Sequence, residues 1–242
     1  MLNGMQKNKL LYEGKAKIIF ETDRPDVLRM EFKDSLTAFN AQKKGEFQGK
    51  GKLNCLISTY IFKVLTKNNI PHHWLSTENG NHMIVKKTKI IPLEIVIRNV
   101  LAVSLSKKLG KPEGIVLTKP LLELYYKDDG LNDPFVNDEQ AIEFGWVNTD
   151  QLLSMKSMAI HINTILKSLF FKAQLNLIDF KIEFGVTGDN KVILADEISP
   201  DCMRLWDTKT HDKFDKDRFR HDLGKIEEAY QSVLARLEGI TI

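Results

Sequence analysis

The run Leu177-Ile178-Asp179-Phe180-Lys181-Ile182-Glu183-Phe184-Gly185 alternates apolar and charged side chains. A period of two specifies a β-strand with one apolar face, and it places Asp179, Lys181 and Glu183 together on the other. Thr187-Gly188-Asp189-Asn190 follows. A two-residue turn at Asp189-Asn190 would pair Gly188 with Lys191 and set Glu183 opposite Asp196 on a returning strand. Two facing carboxylates repel unless the face is solvated or a cation lies between them. A solvated face is one reading. The other is a Mg²⁺ site, because Asp196-Glu197 leads into Ser199-Pro200-Asp201, Arg204 and Trp206. Mg²⁺ prefers one or two carboxylates completed by phosphate oxygens. The histidines lack zinc-ligand spacing.

Other constellations are weaker singly. Tyr12-Glu13-Gly14-Lys15-Ala16-Lys17 places a glycine before two alternating lysines on a β-rich segment. A glycine lets backbone N–H groups approach a phosphate, and ammonium groups balance its charge; a hairpin with surface lysines is the alternative. Lys43 to Lys52 resembles a phosphate-binding Walker loop, but its spacing is one residue short and Gly51 stands where Ser or Thr should be. It reads as a mobile basic loop ahead of a helix whose N-terminus could hold an anion. Arg98 and Asn99 fall where the strand Leu93–Ile97 meets a helix predicted over Val100–Leu109. Arg98, Ser104 and Arg204 could clasp a phosphate monoester. Glu94 is a carboxylate on an apolar strand and needs a partner or a task.

Along the chain, short strands between Leu11 and Phe32 precede a helix carrying Leu53, Leu56, Ile57, Tyr60, Ile61, Val64 and Leu65 at 3.6-residue spacing. A strand at Met83–Lys86, a long helix at Thr149–Ala173 and a final helix from Phe219 to Leu237 complete an α+β pattern. Net charge +3 without a basic tail favours small anionic ligands over nucleic acid. Cys55 and Cys202, far apart, fit a reducing compartment. Met1 to Leu10 has no apolar signal core and no stretch approaches a membrane span, so a cytoplasmic location is expected.

Together these segments resemble the SAICAR synthetase family from about Tyr12 to Leu237. The resemblance rests on Ile178–Gly185 and on Ile90-Ile91-Pro92-Leu93-Glu94-Ile95-Val96-Ile97-Arg98 with Ala102 and Ser104. Gly14–Lys17, Asp196–Asp201 and Arg204-Leu205-Trp206-Asp207 support it. It implies a two-lobed fold with a kinase-like β-rich N-terminal lobe (1–86), a larger mixed lobe (87–242) and ATP in the cleft. It also implies ATP, the imidazole ribonucleotide carboxylate CAIR and L-aspartate as substrates, Mg²⁺ as cofactor, and a homodimer. By similarity, Gly14, Lys15 and Lys17 meet ATP phosphates, and Val85, Lys86 and Lys87 lie near the adenine. Glu183 and Asp196 hold Mg²⁺, while Glu94, Arg98, Ser104 and Arg204 bind the ribonucleotide. Asp179, Lys181 and Lys127 line the same cleft as the catalytic group. The chain departs from the family at Val103, where a glycine is usual; Ala41 after Phe39-Asn40 and the pair Cys202-Met203 are variable positions. A small-molecule kinase and a non-catalytic nucleotide-binding module are the rival readings.

Overall fold

A computed structural model describes residues 9–38 and 43–241, apart from the side chains of Ala38 and Ser104. The variable Phe39-Asn40-Ala41 stretch and most of Met1 to Leu10 lie outside the described residues.

The chain opens with β1 (Leu10–Glu13), β2 (Lys17–Glu21) and β3 (Val27–Phe32), then the hairpin β4 (Ser35–Ala38) and β5 (Lys43–Glu46). Helix α1 (Lys50–Lys67) leads to β6 (Trp74–Glu78) and β7 (His82–Lys86). These strands form one antiparallel sheet in the order β1-β2-β3-β7-β6, with β4 and β5 paired separately. The basic segment read as a mobile loop is therefore β5, a turn and the start of α1. The helix start is fixed by Asp34, whose carboxylate accepts the N–H groups of Gly49 (3.0 Å) and Gly51 (2.8 Å). That carboxylate occupies the anion position at the helix N-terminus. Gly51 is required sterically, because a Cβ there would stand 2.5 Å from the Phe32 carbonyl oxygen.

The second sheet begins with β8 (Lys89–Val100), which runs through Arg98 and Asn99. Helix α2 (Val103–Leu109) starts three residues later than the apolar pattern predicts. Then come β9 (Val116–Tyr126), β10 (Phe135–Val136), α3 (Asp138–Glu143) and α4 (Thr149–Lys172). The last elements are β11 (Leu175–Val186), β12 (Val192–Ala195), β13 (Met203–Asp207), α5 (Asp217–Arg220) and α6 (Ile226–Glu238). The sheet order is β10-β9-β8-β11-β12, with β13 also on β11. Asp222, Gly224 and Lys225 adopt left-handed backbone angles and break the single C-terminal helix that the periodicity suggested. Phe219 packs instead against Gly45, where a Cβ would come within 2.7 Å of the ring.

The long helix α4 buries Leu152, Met155, Ala159, Ile162, Leu166 and Leu169 against the β8–β11 face. Each of the leucine, isoleucine and methionine side chains contributes about 1.5–3 kcal/mol relative to exposure. His161, on the opposite side, is exposed. The two sheets are stitched where the α1–β6 connection meets β12. His72 forms a parallel bridge with Leu194, Leu194 N–H donates to Pro71 O (3.0 Å), and His73 N–H donates to Leu194 O (2.9 Å).

Candidate active site

Asp179, Lys181 and Glu183 of β11 do share a face, but their partners differ from those expected. β11 meets β12 with Glu183 opposite Ala195 and Phe184 opposite Leu194, and Thr187 N–H donates to Lys191 O at 2.9 Å. The loop thus contains Gly188, Asp189 and Asn190, with Asn190 at φ 62°. The register is one residue away from a Glu183–Asp196 pairing, a shift that on a continuing strand would send Asp196 to the far face. Asp196 escapes this because it lies beyond β12 and itself adopts φ 62°. Its carboxylate turns back to Lys17 and comes within electrostatic reach of Lys181 and Lys127.

The residue directly opposite Glu183 is Glu94 of β8. Lys181 Nζ donates to Glu94 Oε1 (2.8 Å) and Glu183 Oε1 (2.7 Å), and Lys127 pairs with the other Glu183 oxygen. Glu183 and Asp179 are only 4% and 3% exposed, which excludes the solvated-face reading. Burial opposes the charge on Lys181, but Glu183, Glu94 and Asp196 outweigh it and hold the ammonium well above its ordinary pKa. Burial raises the Glu94 pKa, and Lys181 counters it.

Lys17 Nζ pairs with Asp196 and, at 2.9 Å, with Glu197 Oε1. Burial would raise the Asp196 pKa, but Lys17, Lys181 and Lys127 hold it well below the usual carboxylate range. Behind it, His73 Nε2–H donates to the Asp196 carbonyl oxygen at 2.9 Å. Burial pushes the His73 pKa down to about 4, so this ring is neutral near pH 7. Lys15 and Lys17 do not share a face. Gly14 to Ala16 form the β1–β2 turn, closed by Gly14 N–H on Lys17 O (2.8 Å), and the exposed Lys15 reaches Asp129 (2.7 Å). Val85 is buried at the end of the first sheet, with Lys86 and Lys87 exposed beside it.

Further along the same face, Arg98 Nε donates to Glu123 Oε2 (2.7 Å) and Nη1 to Asp179 Oδ2 (3.0 Å). Arg204 Nη1 donates to both Asp179 oxygens (3.0 and 2.9 Å) and its Nε to Asp217 (2.8 Å), which also binds Arg220 (2.6 Å). Glu123, Arg98, Asp179, Arg204, Asp217 and Arg220 form one ladder of alternating charge. Ser104 lies in the first turn of α2, following Val103 at φ 42°, an unusual angle for a β-branched residue. Val103 N–H donates to Glu113 (2.6 Å).

Sequence reasoning missed His73, Glu123 and Asp217. Glu123 carried a signal, being a carboxylate in Leu121-Leu122-Glu123-Leu124, the same pattern that singled out Glu94. Asp217 sits in a charged run that reads as solvated, and His73 had no signal.

The family model for SAICAR synthetase matches residues 10–237. The chain belongs to the SAICAR synthetase family. The phosphoribosylaminoimidazole-succinocarboxamide synthase of Nitratiruptor sp. is 50% identical over 234 residues, covering 96% of this chain and 98% of that protein. The crystal structure of the same-named synthase from Ehrlichia chaffeensis has a TM-score of 0.93 at 42% identity, covering 97% of this chain and all of that one. A SAICAR synthetase solved in complex with ADP has a TM-score of 0.92 at 45% identity, covering 96% and 98%. The two-lobed α+β fold implied by the sequence motifs is the family's fold.

Proposed function

We propose that this chain is the ATP-dependent ligase of purine biosynthesis that joins the carboxylate of CAIR to the amine of L-aspartate, giving SAICAR, ADP and phosphate. One observation carries the reading in a member of this family: Lys17, Lys127 and Lys181 interleave with Glu94, Glu183, Asp196 and Glu197, beside the paired arginines Arg98 and Arg204. All three substrates are anions, and such a site neutralises charge while fixing geometry. The relative solved in complex with ADP supports nucleotide binding by this chain.

A carboxylate is a poor electrophile. In our reading the CAIR carboxylate attacks the γ-phosphorus of ATP and releases ADP; the aspartate amine then attacks the acyl phosphate, and phosphate leaves with formation of the amide. Gly14, Lys15 and Lys17 attend the ATP phosphates, with Val85, Lys86 and Lys87 at the adenine. Arg98, Ser104 and Arg204 hold the ribonucleotide phosphate, and Glu94 its base. Asp179, Lys127 and Lys181 line the reacting centre.

The donor set suits Mg²⁺. Among the described residues no three His, Cys, Asp or Glu side chains form a closed cage. Glu183 and Asp196 instead would hold Mg²⁺ with two hard oxygen donors, and Asp196 is kept ionised by its lysine neighbours. When bound, Mg²⁺ would supply charge neutralisation at the transferring phosphoryl group. Residues 1–86 and 87–242 as two lobes, a homodimeric state and a cytoplasmic location belong to the same reading. The sheet boundary between Lys86 and Lys89 supports the first of these. No helix is long and apolar enough to cross a membrane among the described residues.

The test is an assay of ADP and SAICAR with each substrate omitted in turn. Strict dependence of ADP release on CAIR and of SAICAR on all three substrates is expected. ADP release with another acceptor alone and no amide product would favour the kinase reading.

A further inference from the structure

A ligase of this kind must place three anions, and the cations assigned above serve two of them, ATP and the ribonucleotide phosphate. L-aspartate brings two more carboxylates. Lys216 lies in the segment between β13 and α5, and its neighbours in sequence are engaged elsewhere. Asp215 accepts the N–H groups of Leu205 (2.8 Å) and Asp217 (2.7 Å), and Asp217 holds Arg204 and Arg220. Lys216 N–H donates to Pro200 O (3.4 Å), which sets this residue beside the turn that follows Asp196-Glu197.

The Lys216 side chain is 12% exposed, and its Nζ stands 3.8 Å from Asp201 Oδ2, beyond hydrogen-bond distance. That oxygen already has Lys50 at 2.8 Å, and the other Asp201 oxygen accepts Tyr230 O–H at 2.7 Å. The cations of the two clusters described above each have a carboxylate oxygen within 3.0 Å, as does Lys50. Lys216 is the exception among the described residues of this region. Burial, with Arg220 and Lys50 nearby, holds its pKa below the ordinary lysine value against the pull of Asp201 and Glu197. A largely buried ammonium without a bonded anion is unfavourable, and an arriving carboxylate relieves it with a charge-assisted hydrogen bond. Arg220 lies within electrostatic reach, with Asp217 held on its Nη1.

We infer that Lys216, with Arg220 beside it, is the subsite that recognises a carboxylate of the amine substrate, L-aspartate. The inference rests on the ligase reading and goes beyond it by assigning the third anion. Lys216 acts on bound substrate alone and takes no part in phosphoryl transfer.

The experiment measures KM for ATP, CAIR and L-aspartate in the full chain, in Lys216→Met, Lys216→Arg and Arg220→Lys. In Lys216→Met, KM for L-aspartate should rise about tenfold or more, the scale of one charge-assisted hydrogen bond, with the other two KM values within about twofold. Lys216→Arg should recover part of the loss. A rise in KM for CAIR or ATP instead would assign the site to another anion and overturn the inference, as would three unchanged KM values. If Lys216→Met does not fold, Lys216→Arg and Arg220→Lys carry the comparison, and unchanged L-aspartate KM in both overturns the inference. A wild-type chain that forms no SAICAR fails the ligase reading itself, and the same assay separates that result from failure of the subsite.

Discussion

Glu94 and Glu183 face each other across β8 and β11, and Lys181 Nζ is hydrogen-bonded to both. The lysine converts a repulsive pair into a bound one. Removing it as Lys181→Met leaves two largely buried carboxylates opposed, with Lys127 neutralising only Glu183. The expected cost is about 3–5 kcal/mol, because a buried pair broken on one side leaves an uncompensated charge. Adding Glu94→Gln should restore part of it. Urea unfolding of the three variants checks this, and a single variant as stable as wild type would refute it.

Asp196→Asn should lower kcat by roughly a thousandfold or more, the scale of lost metal-mediated stabilisation. Stability should fall as well, because Asp196 is the partner of the largely buried Lys17. ADP release at saturating substrate, with Mg²⁺ titrated, reads the first effect. Near-normal kcat at unchanged Mg²⁺ demand would remove Asp196 from the proposed Mg²⁺ site.

Arg98→Lys keeps the charge and loses the fork that spans Glu123 and Asp179. KM for CAIR should rise about tenfold or more while KM for ATP changes little, since one charge-assisted pair is worth roughly 1.5–3 kcal/mol. Equal changes in both constants would mean that Arg98 is a structural tie alone.

Burial holds the His73 pKa near 4 against an ordinary 6.5. Between those values the unfolded chain binds a proton that the folded chain refuses, so this stability is present above about pH 6.5 and is lost as pH falls toward 4. His73→Gln keeps an N–H donor for the Asp196 carbonyl and removes the titration. Between pH 7 and 4.5 the variant should gain on wild type by about 2–3 kcal/mol in urea unfolding. Asp215, pushed up to about 7 chiefly by burial and then by Asp217, acts with the opposite sign in this range. It is common to both proteins and cancels in the difference.

Alternation alone was enough to find β11 and the shared face of Asp179, Lys181 and Glu183, and 3.6-residue spacing was enough for α1 and α4. The pairing partner was not legible. Two-residue and three-residue loops are both compatible with Gly188-Asp189-Asn190. The three-residue loop is supported by the Thr187 hydroxyl, which accepts Lys191 N–H (3.1 Å) and donates to Asp189 Oδ1 (2.5 Å). The left-handed turn at Asp196 that restores the intended grouping depends on tertiary contacts with Lys17 and His73. Lys15 and Lys17 looked equivalent for a similar reason: the position of the β1–β2 turn decides which of them starts a strand.

The stitch of Pro71, His72 and His73 to Leu194 gives the molecule a fixed pivot. Asp196, two residues beyond Leu194, is tied to the same stitch through its carbonyl oxygen, which accepts from His73, while its carboxylate is held by Lys17 of β2. Lys17, at the start of β2, adds a second tie between the two sheets through Asp196 and Glu197, so the β1–β2 turn that precedes it is the part of the first sheet left free to move. Amide exchange should accordingly be slow at His73 and Leu194, whose N–H groups are hydrogen-bonded across the stitch, and fast at the exposed Lys15.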